Sequence, residues 1–352
     1  MAMKHRCGNS LESATRRRIL IGSAGGVAAM VGVRSAFAQA LAPMNPKLSG
    51  DLYPIHDPCI IKEGDTFYVF CTTPRRDSPK QIPWYQSKDL LNWQRGAHVF
   101  DALPAWAKAA VPKTESCWAP DISFVDGRFL LYYACSTFGS NGSVIGLATN
   151  VTLTPADPRF NWEDKGVVLT SKTTDDFNAL DPNHVVDRDG KHWLAFGSFW
   201  TGLKIIQLDP ATGMPMSDAK NLSIARRPKT PDAIEGVFII QRAGNYYLFA
   251  SYDFCCRGAD STYYTIVGRS KDITGPYIDN SGKPLLEGGG TLVLAAPPGE
   301  TCWFGPGHCA VLRDDGKDYI VYHAYDGGHE GRPTLRIAPM GWTADNWPVA
   351  FV

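Results

Sequence analysis

The sequence predicts an all-β fold, a five-bladed β-propeller. Three observations lead there. One hairpin-bearing motif occurs five times along the 352 residues, and internal repeats several tens of residues long mark solenoids, propellers or arrays. Aromatic residues make up 11% and hydrophobic residues 44% of the chain, a content that supports a large core and leans toward strands. No long segment carries the 3.6-residue periodicity of an amphipathic helix.

The first unit is "HDPCIIKEGDTFYVF" (56–70). The others are "APDISFVDGRFLLYYAC" (119–135), "LDPNHVVDRDGKHWLAFGS" (180–198), "IEGVFIIQRAGNYYLFASY" (234–252) and "GPGHCAVLRDDGKDYIVYHAY" (305–325). Each has a polar residue near its start, then a short apolar stretch, a turn containing glycine, and a close of aromatic and β-branched residues. That is a hairpin. Further strands fit between the hairpins, as "SVIGLATN" (143–150), "LKIIQL" (203–208) and "YTIVGRS" (264–270), giving the four strands of a propeller blade. The helix-like "LPAWAKAAV" (103–111) is short enough to sit in a loop.

The openers are Asp57, Asp121, Asp181, Glu235 and His308, spaced by 64, 60, 54 and 73 residues. In a solenoid they would be strung out. In a propeller the innermost strand of every blade starts at the same end of the channel, so the openers converge there, and the active site is expected at that end. Proline after Asp57 and Asp181 holds the aspartate backbone extended. Carboxylates brought together in a cleft raise one another's pKa, and one protonated acid beside one ionised acid is what hydrolysis of a glycosidic bond requires. Trp118 and Trp200 flank two of these openings and are the best candidates for stacking on a sugar face.

The other features bound the function. Lys plus Arg and Asp plus Glu both number 35. A chain of zero formal charge gives no electrostatic reason to expect a nucleic acid or a membrane surface as partner. Residues 1–38 read as a twin-arginine export signal: Arg16-Arg17-Arg18, an apolar stretch to Val33, and an Ala36-Phe37-Ala38 cleavage site. Residues 39–352 form the propeller domain of an exported protein, periplasmic or extracellular, expected to be a monomer. Eight of nine cysteines lie in it. Their spacing is not that of a zinc site, and adjacent Cys255 and Cys256 are candidates for a vicinal disulfide.

At these residues the sequence resembles the family 43 glycoside hydrolases, and among them the endo-α-1,5-L-arabinanases. The motifs that carry the resemblance include "CWAPDI", "STFGSNGSVIGLATN", "FGSFW", "CCRGADSTYY", "FGPGHCAV" and "YIVYHAYDG", and they run from Leu52 to Val349. The resemblance implies an inverting hydrolase of internal α-1,5 bonds in arabinan. It implies Asp57 as general base, Glu235 as general acid, and Asp181 as the third acid that tunes Glu235. It implies sugar contacts from Gly139, Asn141, Asn178, Ser198, Phe199 and Trp200, alongside Trp118. It implies a channel ion near His308, often calcium. Asp121 is read as structural, and Val237 stands where relatives often have proline. Competing readings are an exo-acting arabinofuranosidase or β-xylosidase of the same fold, a non-catalytic sugar-binding propeller, and a scaffold propeller.

Overall fold

The computed structural model describes residues 47–352. Residues 1–38, read above as an export signal, lie outside them. Five sheets follow one another in chain order, each of four antiparallel strands, with the short Ser49–Gly50 strand added in parallel to the outer edge of the first. Blade I begins with its innermost strand Cys59–Glu63 and ends with Asn92–Phe100; blade II runs from Cys117–Val125 to Glu163–Ser171. Blade III runs from Asn183–Val186 to Leu222–Ala225, blade IV from Ile234–Arg242 to Thr291–Leu294, and blade V from Trp303–Asp314 to Pro348–Ala350. Each innermost strand lies beside that of the next blade, and blade V lies beside blade I, so the ring closes.

Local sequence explains the hairpins. "DG", "AG" and "DG" link the first two strands of blades II, IV and V, with both central residues at positive φ: Asp126 and Gly127, Ala243 and Gly244, Asp315 and Gly316. This is the turn whose twist matches that of the flanking strands. The three further strands expected from sequence form at Ser143–Asn150, Leu203–Leu208 and Tyr264–Ser270, and the short helix at Ala105–Ala110 links blades I and II.

The core is not one mass but five, one between each pair of neighbouring blades. The second strand of a blade feeds two of them. In Arg128–Cys135, Phe129, Leu131 and Tyr133 pack toward blade I, while Leu130, Tyr132 and Ala134 pack toward blade III. In Asn245–Tyr252, Tyr246 and Leu248 face blade III while Tyr247 and Phe249 face blade V. A strand sandwiched on both faces needs apolar residues at every position rather than every second one. This is why these strands read as unbroken aromatic runs.

Among the described residues, closure between blades V and I is noncovalent. The Ile60, Val69 and Trp93 side chains of blade I pack with Leu312, Val321 and Leu335 of blade V. The entering chain is stitched to blade V by Ile55 N–H donating to Pro333 O (3.0 Å) and Leu335 N–H donating to Leu52 O (2.9 Å).

Candidate active site at the mouth of the channel

One backbone device, repeated five times, aims the site. Near its start every innermost strand carries an extra residue relative to its neighbour, and that of blade V carries a second between Phe304 and Gly307. In blade II Trp118 pairs with Ala134 but Asp121 with Tyr132; in blade IV Glu235 pairs with Ser251 but Phe238 with Phe249; in blade V Gly307 pairs with His323 but Ala310 with Val321. Blades I and III show the same offset. Thr72 N–H donates to His56 O while Cys59 pairs with Phe70, and Gly197 N–H donates to Leu180 O while Asn183 pairs with Ala195. The bulge residue is left-handed in all five: Asp57 (φ +53°), Ala119 (+42°), Asp181 (+53°), Gly236 (+62°) and His308 (+48°).

A β-bulge bends the strand and re-aims a side chain at a sheet's end, and this type normally places glycine at that position. Here glycine appears once, and Asp57 and Asp181, expected to be extended before their prolines, are left-handed instead. Asp and His tolerate the left-handed region better than most residues, yet each such residue costs of order 1–3 kcal/mol. The strain is spent on pointing Asp57, Asp181 and His308 into one place.

The shared register corrects the reading of the openers as equivalent. In blade II the bulge residue is Ala119, and Asp121 stands two residues further on, level with Cys59 and Asn183. There Asp121 accepts Asn183 Nδ2–H (3.2 Å) and His184 N–H (2.7 Å), binding blade II to blade III. Burial pushes its carboxyl up to about 6. In blade IV glycine takes the bulge position, and Glu235 stands one residue earlier, level with His56 and Trp118.

The three remaining openers and Glu235 form a connected cluster. Asp57 is buried, and its carboxylate faces His56 Nδ1 (2.7 Å), His308 Nδ1 (3.0 Å) and the Thr72 hydroxyl, which donates at 2.5 Å. Burial alone would raise its pKa, but the two imidazoles outweigh burial and hold it well below the usual carboxylate range. Burial would lower the pKa of His308, but Asp57, with Asp181 and Glu235, pushes it up to about 9. His308 Nδ1 also lies 4.0 Å from Asp181 Oδ2, and that oxygen accepts Gly236 N–H at 3.0 Å. Asp181 therefore grips the backbone beside Glu235.

Burial pushes Asp181 up to about 8, with the charge of Glu235 adding to it. Burial raises Glu235 as well. Two interacting acids of this kind titrate as a pair. Glu235 is held by two hydroxyls: Ser198 donates to Oε2 (2.7 Å) and Tyr263 to Oε1 (3.0 Å). Tyr263 fits because residue 307 is glycine; a Cβ there would sit 2.2 Å from its ring.

The expected sugar contacts divide. Trp118 is half-buried, with its indole N–H donating to Ser116 Oγ (2.7 Å). Gly139 borders open space. Phe199 and Trp200, half-buried and both left-handed, form the turn after the second strand of blade III. Ser198 is buried against the acid. Asn141 and Asn178 lie deeper. Both are buried: Asn141 donates to Asp175 O and Phe177 O (2.8 and 3.1 Å), and Asn178 accepts the Ser143 hydroxyl (2.6 Å). They brace the loops of the cleft wall from beneath.

Sequence reasoning missed the aromatic lining around Asp57. His56 and His323 stack at 3.8 Å, and Tyr325 O–H lies 2.8 Å from His56 Nε2. Asp57 N–H donates to His323 Nδ1 (3.1 Å), and burial holds His323 neutral. Cys255 and Cys256 are joined in a disulfide at the rim, with Cys256 N–H donating to Tyr325 O–H (2.7 Å). His56, His323 and Tyr325 lie inside motifs of the sequence, but no spacing set them apart from core aromatics.

His308 was expected to hold calcium. Calcium takes six to eight oxygen ligands, and among the described residues the groupings of ligating side chains, His56 with Cys255 and Cys256 and His56 with Asp57 and His323, leave His308 out. Its Nδ1 is tied to Asp57, while no described residue hydrogen-bonds its Nε2. A histidine whose other N–H is held by a carboxylate is suited to ligate through the free nitrogen. What the described residues offer a cation there is this single nitrogen and no ring of oxygen ligands.

A strand-start cluster of one low-pKa acid and a coupled high-pKa pair, in the channel of a five-bladed propeller, defines a class of glycoside hydrolase. The chain belongs to that class by family too: the model of glycosyl hydrolases family 43 matches residues 44–348. It is 41% identical over 305 residues to the extracellular exo-alpha-(1->5)-L-arabinofuranosidase ArbA of Cellvibrio japonicus, covering 84% of this chain and 85% of that one. It is 40% identical over 295 residues to the extracellular endo-alpha-(1->5)-L-arabinanase 1 of Bacillus subtilis, covering 84% and 87%. The alpha-L-arabinanase of Cellvibrio cellulosa, solved in complex with arabinohexaose, superposes with a TM-score of 0.78 at 41% identity, over 84% of this chain and 95% of that one.

Proposed function

We propose that this protein hydrolyses internal α-1,5-L-arabinofuranosidic bonds of arabinan with inversion. One observation carries the reading: Asp57 is held ionised while Glu235 and Asp181 are pushed toward their protonated forms in the same channel. Pairs of titratable groups driven apart in this way mark acid and base roles.

In this mechanism Glu235 gives its proton to the glycosidic oxygen as the bond from that oxygen to C1 breaks. Asp57 accepts a proton from a water that attacks C1 from the opposite face. The new C1–O bond forms on the inverted side. Ser198 and Tyr263 orient the Glu235 carboxyl. Asp181, through Gly236 N–H and its shared electrostatics with Glu235, fixes where the acid sits and when it holds its proton. Trp118, Phe199, Trp200 and the open edge at Gly139 form the sugar-facing surface.

The paired arginines and the Ala-x-Ala site support export, and the relatives named extracellular agree with it. His308 Nε2 is the point at which a calcium ion would attach; a bound ion there would add positive charge to the site. A rise in melting temperature on adding calcium to chelator-treated protein, absent in His308→Gln, tests this attachment.

The deciding experiment digests linear arabinan and sizes the products. Short oligosaccharides that appear early support endo action. Release of arabinose alone moves the enzyme to the exo class, and no turnover of any pentose polymer overturns the hydrolase reading.

A further inference from the structure

Two cysteines meet at the channel mouth of blade II. Cys117 opens the innermost strand Cys117–Val125, and Cys135 closes the second strand Arg128–Cys135. They stand directly opposite each other in the register, although 18 positions apart in the chain. Both are fully buried in the core between blades I and II, with the Cys135 thiol donating to Cys117 Sγ at 3.5 Å.

Backbone bonding fixes the kind of pair. Cys117 N–H donates to Gln81 Oε1 (2.9 Å), and Cys117 O accepts Thr73 N–H (3.0 Å). Both groups are bonded to blade I and turned away from Cys135. In an antiparallel ladder this is the non-hydrogen-bonded pair, whose Cα atoms approach to about 4.5 Å and whose side chains stand closest. A disulfide spans Cα separations of about 4.4–6.8 Å, so a bond here keeps the strands where they are. The pair does not read as a metal site: among the described residues neither thiol belongs to a group of three ligating side chains.

We propose that Cys117 and Cys135 form a second disulfide, which fastens blade II beside Trp118. Each thiol gives up its hydrogen and an S–S bond forms. A small-molecule or protein disulfide takes up the two electrons and two protons and becomes two thiols. Burial governs when this happens. It pushes the Cys117 thiol well above its usual pKa, and the thiolate is the attacking form. The bond therefore closes while the chain folds or when the strand ends open, and once closed it is shielded from reductants. Export would deliver the chain to the oxidising conditions in which such a bond persists.

The test refolds the reduced full chain in a mixture of reduced and oxidised glutathione. Remaining thiols are alkylated with iodoacetamide under denaturing conditions, and the chain is digested without reduction. Trypsin cuts at Arg128, between the two cysteines, so the bond would join two separate peptides. Expected is a species that holds both peptides and is two hydrogens lighter than their sum. Both cysteines alkylated, or either joined to another cysteine, overturns the proposal. Melting temperatures of the oxidised and reduced chains are then compared for wild type and for Cys117→Val/Cys135→Val, in which Cys255 and Cys256 still respond to reductant. Wild type loses about 5 °C more on reduction than the variant does. Equal losses overturn the fastening of blade II, and the linked peptides decide even where the double variant does not fold.

Discussion

Tyr263 donates its hydroxyl to Glu235 Oε1 at 3.0 Å, from a fully buried position that only Gly307 leaves open. A donor to a carboxylate stabilises the ionised form. This bond therefore lowers the pKa of an acid that burial is raising. Tyr263→Phe removes the opposing influence without removing the ring. Glu235 then keeps its proton to higher pH, and the alkaline limb of the kcat/KM profile moves up by as much as about one pH unit, the equivalent of one hydrogen bond of about 1.4 kcal/mol. A profile that stays in place, or moves down, refutes the assignment of Tyr263 to the acid.

Glu235→Gln separates proton donation from binding. On arabinan the variant loses about 10²–10⁴-fold in kcat, the usual contribution of a positioned general acid. On an aryl arabinofuranoside whose phenol leaves without a proton the loss is much smaller. Equal losses on the two substrates would show that Glu235 does something other than protonate the leaving oxygen. Asp57→Asn, which removes the base, loses activity on both.

Much of this site was legible in the sequence, for physical reasons that can be named. Proline after Asp57 and Asp181 marks the strand start. The two-faced burial of each second strand makes the hairpins visible as unbroken apolar runs. The bulge was not legible, because glycine, its usual marker, is present in one blade only. The spacing of acidic residues therefore placed Asp121 among the openers, where Ala119 stands. Ser198 was legible as a site residue but not as the partner of Glu235. Tyr263 was hidden as one aromatic among many in a chain whose cores are built from them.

Asp121→Ala distinguishes an acid that holds blades together from one that does chemistry. It leaves Asn183 Nδ2 and His184 N–H without their acceptor in a buried place, a cost of about 2–5 kcal/mol for two orphaned donors. Denaturant midpoints fall accordingly, while the pH profile of the folded enzyme keeps its limbs. A shifted limb with unchanged stability would return Asp121 to the catalytic group.

Asp181→Asn tests the cost of burying coupled acids. In the unfolded chain an aspartate titrates near 3.9, whereas in the folded chain burial and the neighbouring Glu235 push Asp181 up to about 8. The folded state thus holds its proton more tightly. The group favours folding fully below the unfolded value, and that contribution is lost as pH rises through the folded one. An asparagine keeps an oxygen for Gly236 N–H and has no charge to bury. The variant's melting temperature should therefore exceed that of the wild type by a few degrees at pH 8 and by little at pH 5, while its activity on arabinan falls. A lower melting temperature at both pH values would mean that the ionised carboxylate, facing His308, stabilises the fold, and that the pair's proton resides on Glu235 alone.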